Sequence, residues 1–315
     1  MSQMSSINAV ARRDDTPLGL TFMVLSVLVS PVIDVFSKLA VVTVPAGEVA
    51  FSRFVLQAAL LLPPVLMRRA LRGVGARTMA LHALRGGLLV VSMLSFVATL
   101  KVMELADAIA IFFVEPIILT ILGGIFLKET IGWRRYTACA VGFLGAMLVI
   151  QPSFREVGPM ALLPMISALA IAIFLLVTRR VAKSEDPWSM QFYAGIWGAI
   201  FAGALLILGA GMDIEVIGPV MPDATTLLYL LGTGVSATIA SVLGVYAYRA
   251  APASVLAPLQ YLEIVSATLF GWLVFDQLPD TLKWLGIAII IASGLYIIWR
   301  EHRLKRAAMP VPPAI

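Results

Sequence analysis

Glu263 is a carboxylate in unusual company. It stands in Ala253 to Phe275, ASVLAPLQYLEIVSATLFGWLVF, a run long and apolar enough to cross a bilayer. A charge near the bilayer centre costs at least about 2.5–3.5 kcal/mol unless it faces protein or water. At 100° per residue, Ala253, Leu256, Gln260, Glu263, Ala267 and Gly271 share one helix face, so that face must turn inward. Tyr261 points about 100° away and packs or touches a ligand from the side. A carboxylate beside an amide can bind a cationic or amine-bearing group, or carry a proton. The bland alternative is a neutral carboxyl hydrogen-bonded to a neighbour.

An earlier apolar run, Asp107 to Leu127, repeats the arrangement with Glu115-Pro116 midway and Phe112 one turn before. Between the two runs lies a polar stripe of His82, Arg85, Ser92 and Thr99 at spacings of three and seven. Such a stripe lines water or packs against polar helices. Ser92 and Thr99 taken singly read as hydroxyls bonding their own backbone. Arg85 is too deep for that and is expected to face a cavity or an anion. Glu263, Gln260, Tyr261, Glu115, Arg85 and Phe112 are the candidate substrate-binding residues.

A second polar set lies nearer the start of the chain. Asp34 and Lys38 are four apart and can pair on one helix face. Glu48 and Arg53 are five apart, about 140° around a helix, and need partners from elsewhere. The expected pairs are Arg53 with Asp34 and Glu48 with Lys38. One four-residue network of this kind would serve either as a gate or as a structural lock.

These groups need elements to hold them, and composition says which. The 315 residues are 60% hydrophobic and 13% charged, with mean hydropathy +0.97. Soluble domains run nearer 45–50% and about 25%. The chain reads as an all-α membrane protein. About 20 apolar residues make a span, which predicts ten spans over residues 17–39, 47–67, 78–99, 107–127, 132–151, 159–178, 188–210, 224–247, 253–275 and 281–300.

Charge distribution sets orientation. Lys38, Arg53 and Arg85 lie within spans, and Lys101, Arg155 and Lys283 fall in outer connections. The other 17 of the 23 Lys and Arg fall on one side if both termini are cytoplasmic. The acidic connection with Asp213, Glu215 and Asp223 then falls outside.

The segments beginning at Ala108 and Ala253 resemble each other. Each has an alanine-rich opening, a midspan polar cluster, a glycine and an acid at the span's end, Glu129 or Asp276. Pro116 and Glu263 each precede that acid by 13 residues. Five spans per half is an odd number, so the halves lie upside down relative to each other, the pattern of secondary transporters. The expected organisation is a tail (1–16), two five-helix repeats (17–152 and 153–300) and a second tail (301–315).

At the level of motifs the chain resembles the drug/metabolite transporter superfamily, in particular its EamA-type ten-span carriers. The residues are Asp34-x-x-x-Lys38, Glu48-Val49-Ala50-Phe51-x-Arg53, Leu84-Arg85-Gly86, Pro116, Leu127-x-Glu129, Trp133 and Arg135. The second half adds Ala257-Pro258-x-x-Tyr261-Leu262-Glu263 and Phe275-Asp276-x-x-Pro279-Asp280. It is similar to the branch containing bacterial S-adenosylmethionine uptake transporters. That likeness implies a multi-pass protein of the bacterial inner membrane with a small metabolite as substrate. Gln260 stands where the motif of that branch carries arginine, and Glu115 is outside the pattern. One positive charge fewer and one carboxylate more bear on substrate preference.

No H-E-x-x-H, cysteine pair or G-x-x-x-x-G-K-[ST] occurs, so no cofactor, metal or ATP is expected. Gly232-Thr233-Gly234 lies inside an apolar span, and Cys139 is a lone cysteine in an apolar run. Basic residues alternate with apolar runs rather than forming a patch, which argues against nucleic acid. The expected partners are a small-molecule substrate and membrane lipid, with a homodimer compatible with the pattern. Gly232, Ser236, Ala240 and Gly244 recur every fourth residue and predict a close helix–helix contact.

Overall fold

A computed structural model of the protein describes residues 16–68, 75–126, 137, 140–145, 147–148, 155–181, 185–210, 216–250, 259 and 262–307. They form helices joined by short turns and connections, with no strand among the described residues. The helices are α1 (Thr16–Ala40), α2 (Ala46–Met67), α3 (Ala76–Leu100), α4 (Leu105–Phe112), α5 (Glu115–Phe126), α6 (Leu163–Val181), α7 (Pro187–Gly209), α8 (Ala224–Ala250), α9 (Leu262–Phe275) and α10 (Thr281–Ala307). A 3₁₀ turn, Gly158–Leu162, leads into α6. Among the described residues, six helices are long and apolar enough to cross a membrane; they correspond to the first three spans and the sixth to eighth.

The fourth expected span is not one helix. It breaks at Phe113–Val114 into α4 and α5. Pro116 has no N–H, so the Phe112 carbonyl loses its normal i+4 donor, and a new helix starts with proline in its first turn, where the missing donor costs nothing. Of the fifth expected span only a few helical residues are described. Of the ninth, Leu262 onward is described. Glu129, Cys139, Gln260 and Tyr261 lie outside the described residues.

Aspartates start three helices of the second half, α7, α8 and α10. Asp186 Oδ2 accepts from the N–H groups of Trp188 (3.0 Å) and Ser189 (3.2 Å). Asp223 Oδ1 accepts from Thr226 N–H at 2.8 Å, and Asp280 Oδ1 from Lys283 N–H at 2.8 Å. Each satisfies a donor that a helix start leaves bare. The bonds with Thr226 also hold the exposed Asp223 carboxyl below its ordinary range.

The bundle is assembled by pairing first-half with second-half helices: α1 on α8, α2 on α7, α3 on α6 and α7, and α4 on α9. Glycine permits the closest approaches. A Cβ on Gly86 would stand 2.5 Å from Trp197 Cβ, and one on Gly232 2.7 Å from the Phe36 ring. The α8 ridge read from the sequence is thus the seat of α1, with Ser26 Oγ on α1 donating to Ala240 O at 2.9 Å. Leucine, isoleucine and valine remain exposed all round the outside, as expected where lipid replaces water.

Candidate functional site

The helices leave a cavity of about 290 Å³ midway along their length. α1 supplies Ser30, Ile33 and Asp34; α2 supplies Arg53; α3 supplies Leu89, Ser92, Met93 and Phe96. Ile109 and Phe112 come from α4, Ser167 and Ile171 from α6, and Glu263 from α9. The wall is divided chemically. One part is hydrocarbon and aromatic, with Phe96 and Phe112 edge to face at 5.7 Å. The other carries two carboxylates, one guanidinium and hydroxyls.

Each polar group is held by its own element. Ser30 Oγ donates to Glu263 Oε1 at 2.7 Å, joining α1 to α9. Asp34, one turn beyond Ser30, interacts electrostatically with Glu263 and with Arg53. The Arg53 guanidinium lies 4.9 Å from the centre of the Phe54 ring, and its Nε is buried without a hydrogen-bond acceptor. Ser92 and Ser167 share a hydrogen bond of 2.7 Å between α3 and α6. So Ser92 does not bond its own backbone as the sequence suggested, whereas Thr99 does, donating to Ser95 O at 2.9 Å.

The structure sorts the remaining candidates. Glu263 and Phe112 line the cavity, and Asp34 and Arg53 join them there. Arg85 does not line it. Its Nε donates to Thr178 Oγ1 (2.9 Å), its Nη1 donates to Met190 O (3.0 Å) and meets His82 Nδ1 (3.2 Å), and its guanidinium stacks on Phe174 at 4.9 Å. Neutral acceptors and a ring face accommodate this deep cation, an arrangement no spacing rule reveals. Glu115, half-buried at the start of α5, is not among the lining residues. Trp197 packs on Gly86 and Phe201.

Asp34, Lys38, Glu48 and Arg53 do not form one network. Of the four, only Asp34 and Arg53 interact, electrostatically and as lining residues of one cavity. Lys38 Nζ donates instead to Met103 O (2.8 Å) and Gln277 Oε1 (2.9 Å) and sits 4.8 Å over the Phe275 ring. Asp276 makes that contact possible: its left-handed backbone (φ 56°) ends α9 and turns the chain so that Gln277 faces α1. Glu48 Oε2 accepts from Val220 N–H at 3.2 Å and fixes the connection before α8. The residues missed by sequence reasoning are the hydroxyls Ser30 and Ser167 and the ion pair Lys283–Asp107. That pair is 2.6 Å long, with Glu104 at 3.5 Å, and joins α10 to α4 beside Lys38. The signal for it was available: Asp107 opens a span with an acid, and Lys283 is a rare cation on its side of the membrane.

Comparison with known proteins sets the chain among membrane transporters. The model of the EamA-like transporter family matches residues 17–151 and again 158–299. The S-adenosylmethionine uptake transporter of Rickettsia prowazekii (strain Madrid E) is 28% identical over 90% of this chain and 94% of its own. The riboflavin transporter of Rhizobium johnstonii (strain DSM 114642 / LMG 32736 / 3841) is 28% identical over 97% and 99%. One solved crystal structure superposes with TM-score 0.62 over 93% of this chain and 99% of that one, at 15% identity, a likeness of fold alone. These matches indicate a membrane transporter of small metabolites rather than an enzyme, and the chain belongs to the EamA-like transporter family.

Proposed function

We propose that the protein is a secondary transporter carrying a small organic metabolite through the central cavity by alternating access, with S-adenosylmethionine or an amino-acid-like solute favoured. The observation that carries this reading is the divided wall: Asp34 and Glu263 opposite in sign to Arg53, next to the Phe96–Phe112 pair. An amphoteric ligand with a ring answers all of it, placing a cationic group at the carboxylates, a carboxylate at Arg53 and the ring on phenylalanine. A neutral flavin would use the rings and leave three charges unanswered, so riboflavin ranks second. Gln260 and Tyr261 complete the binding set in this reading.

The reading takes ten spans as two inverted five-span repeats in the bacterial inner membrane, both termini cytoplasmic. Helix pairing supports it. Exchanging each span for the one five further on turns the α1–α8 contact into the α3–α6 contact, and α2–α8 into α3–α7, while α2–α7 and α4–α9 map onto themselves. The double match of one family model supports it too. Inverted repeats put the substrate site at the midplane between the halves, the depth of the cavity.

The test is counterflow of labelled S-adenosylmethionine in proteoliposomes, with riboflavin and amino acids as competitors. Saturable exchange inhibited by unlabelled substrate is expected; leakage that never saturates would instead indicate a passive facilitator. Reporter fusions after Gly211 should report outside and after Arg303 inside.

A further inference from the structure

Pro31 stands inside α1, next to the serine that holds Glu263. Lacking an N–H, it leaves the Val27 carbonyl, one turn back, without its helical donor. A bare carbonyl in a membrane interior is costly until a neighbouring helix, a hydroxyl, water or a local adjustment of the helix satisfies it. Ser266 of α9 supplies a hydroxyl, its Oγ lying 3.3 Å from Val27 O. Two hydroxyl contacts therefore join α1 to α9 in the turn just before one proline: Ser30 to Glu263, and Ser266 to Val27 O.

Both hydroxyls have somewhere else to go. Ser266 Oγ also lies 3.3 Å from Leu262 O and 3.1 Å from Glu263 O, both of its own helix. It has one proton and three acceptors in reach, one across the interface and two at home. Ser30 can turn to Ser26 O, the carbonyl one turn back, in the manner of helical serines. Neither donor is stranded when α1 and α9 part. Beyond Pro31, α1 is anchored: Lys38 is tied to Met103 O and Gln277, and Phe36 packs on Gly232. Before Pro31 the polar tie of α1 to α8 is a neutral one, Ser26 Oγ donating to Ala240 O at 2.9 Å.

We infer that Ser30, Pro31 and Ser266 form a switchable joint through which occupancy of Glu263 moves the first half of α1. The inference rests on the reading of the cavity as the substrate site. A ligand cation that takes Glu263 competes with Ser30; Ser30 returns to its own helix, Ser266 follows, and α1 bends at the proline. Ser30 and Ser266 are positioning residues, acting through Glu263 and Val27 rather than on the ligand. From Pro31 to Leu18 the helix is about 20 Å long at 1.5 Å per residue. A bend of about 20°, the threshold of a proline kink, displaces Leu18 by roughly 7 Å.

The experiment measures that displacement. Spin labels at Leu18→Cys and Leu269→Cys in a Cys139→Ser background, on full-length protein in liposomes, report the α1–α9 distance. Both sites are exposed. Ser30→Ala with Ser266→Ala should move the main distance by about 5–8 Å without ligand. Pro31→Ala, which restores the missing N–H, should give one narrow unmoved population, keep the dissociation constant of S-adenosylmethionine within about twofold and lower its counterflow at least tenfold. S-adenosylmethionine added to the parent should reproduce the shift of the serine variant. If the serine variant and the parent give the same distances, the joint is overturned. If the variant shifts and S-adenosylmethionine does not, the joint stands and the substrate assignment falls.

Discussion

Replacing Glu263 by glutamine tests the cavity most directly, because the geometry separates its consequences. Ser30 Oγ donates to Glu263 Oε1 at 2.7 Å, and glutamine keeps a carbonyl oxygen for that bond. What changes is the other end, where an amide N–H₂ replaces a carboxylate oxygen on the cavity wall. A ligand cation there loses a charge-assisted hydrogen bond, about 1.5–3 kcal/mol. At 1.4 kcal/mol per decade this weakens binding roughly 10- to 150-fold. Equilibrium binding of labelled S-adenosylmethionine, melting in detergent and counterflow should be measured on one preparation. Weaker binding with an unchanged melting temperature is expected. Near-normal binding and exchange with loss of the response to a pH gradient would make Glu263 a proton carrier. A glutamine variant as stable as the parent, with unchanged affinity and transport, would refute the assignment of this cavity as the site.

Other outcomes follow from the same contacts. Asp34→Asn and Arg53→Gln should each impair the protein more than the two together. Each single change strands a charge, at a cost below the roughly 3–5 kcal/mol of a fully buried pair because both border the cavity; a double variant no better than the worse single would dissolve the pair. Lys283→Met should destabilise by about 3–5 kcal/mol, since Asp107 is 1% exposed. Asp107→Asn should cost less, because Glu104 still lies 3.5 Å from the lysine; equal losses in thermal melts would contradict that asymmetry. Gly86→Ala puts a Cβ 2.5 Å from Trp197 Cβ and should cost about 1–3 kcal/mol. Gly75→Ala, with nothing within 4 Å, serves as the neutral control.

What the sequence by itself determined was one-dimensional. Lipid demands uninterrupted apolar length, so α1, α2, α3, α7 and α8 begin and end within a few residues of the expected spans. The cost of a buried carboxylate singled out Glu263 before any contact was known, and spacings of four marked the ridge on which α1 lies. Periodicity also marked Arg85 as inward, which it is, at 1% exposure. Tertiary structure alone decided what each inward group meets. Arg85 and Arg53 are both arginines inside spans, yet one is consumed by Thr178, His82 and Met190 O while the other keeps an unused donor beside the cavity. Lys38 and Asp34 share one face of α1, yet one turn of rise sends them to different partners. Ser30 carries no signal of its own, since a helical serine can bond its own backbone anywhere; only the approach of α9 gives it Glu263. The physical reason is the same in each case. Inside a membrane the bilayer dictates which residues must face inward, while the choice of partner belongs to helices remote in sequence, brought together where glycine lets backbones touch.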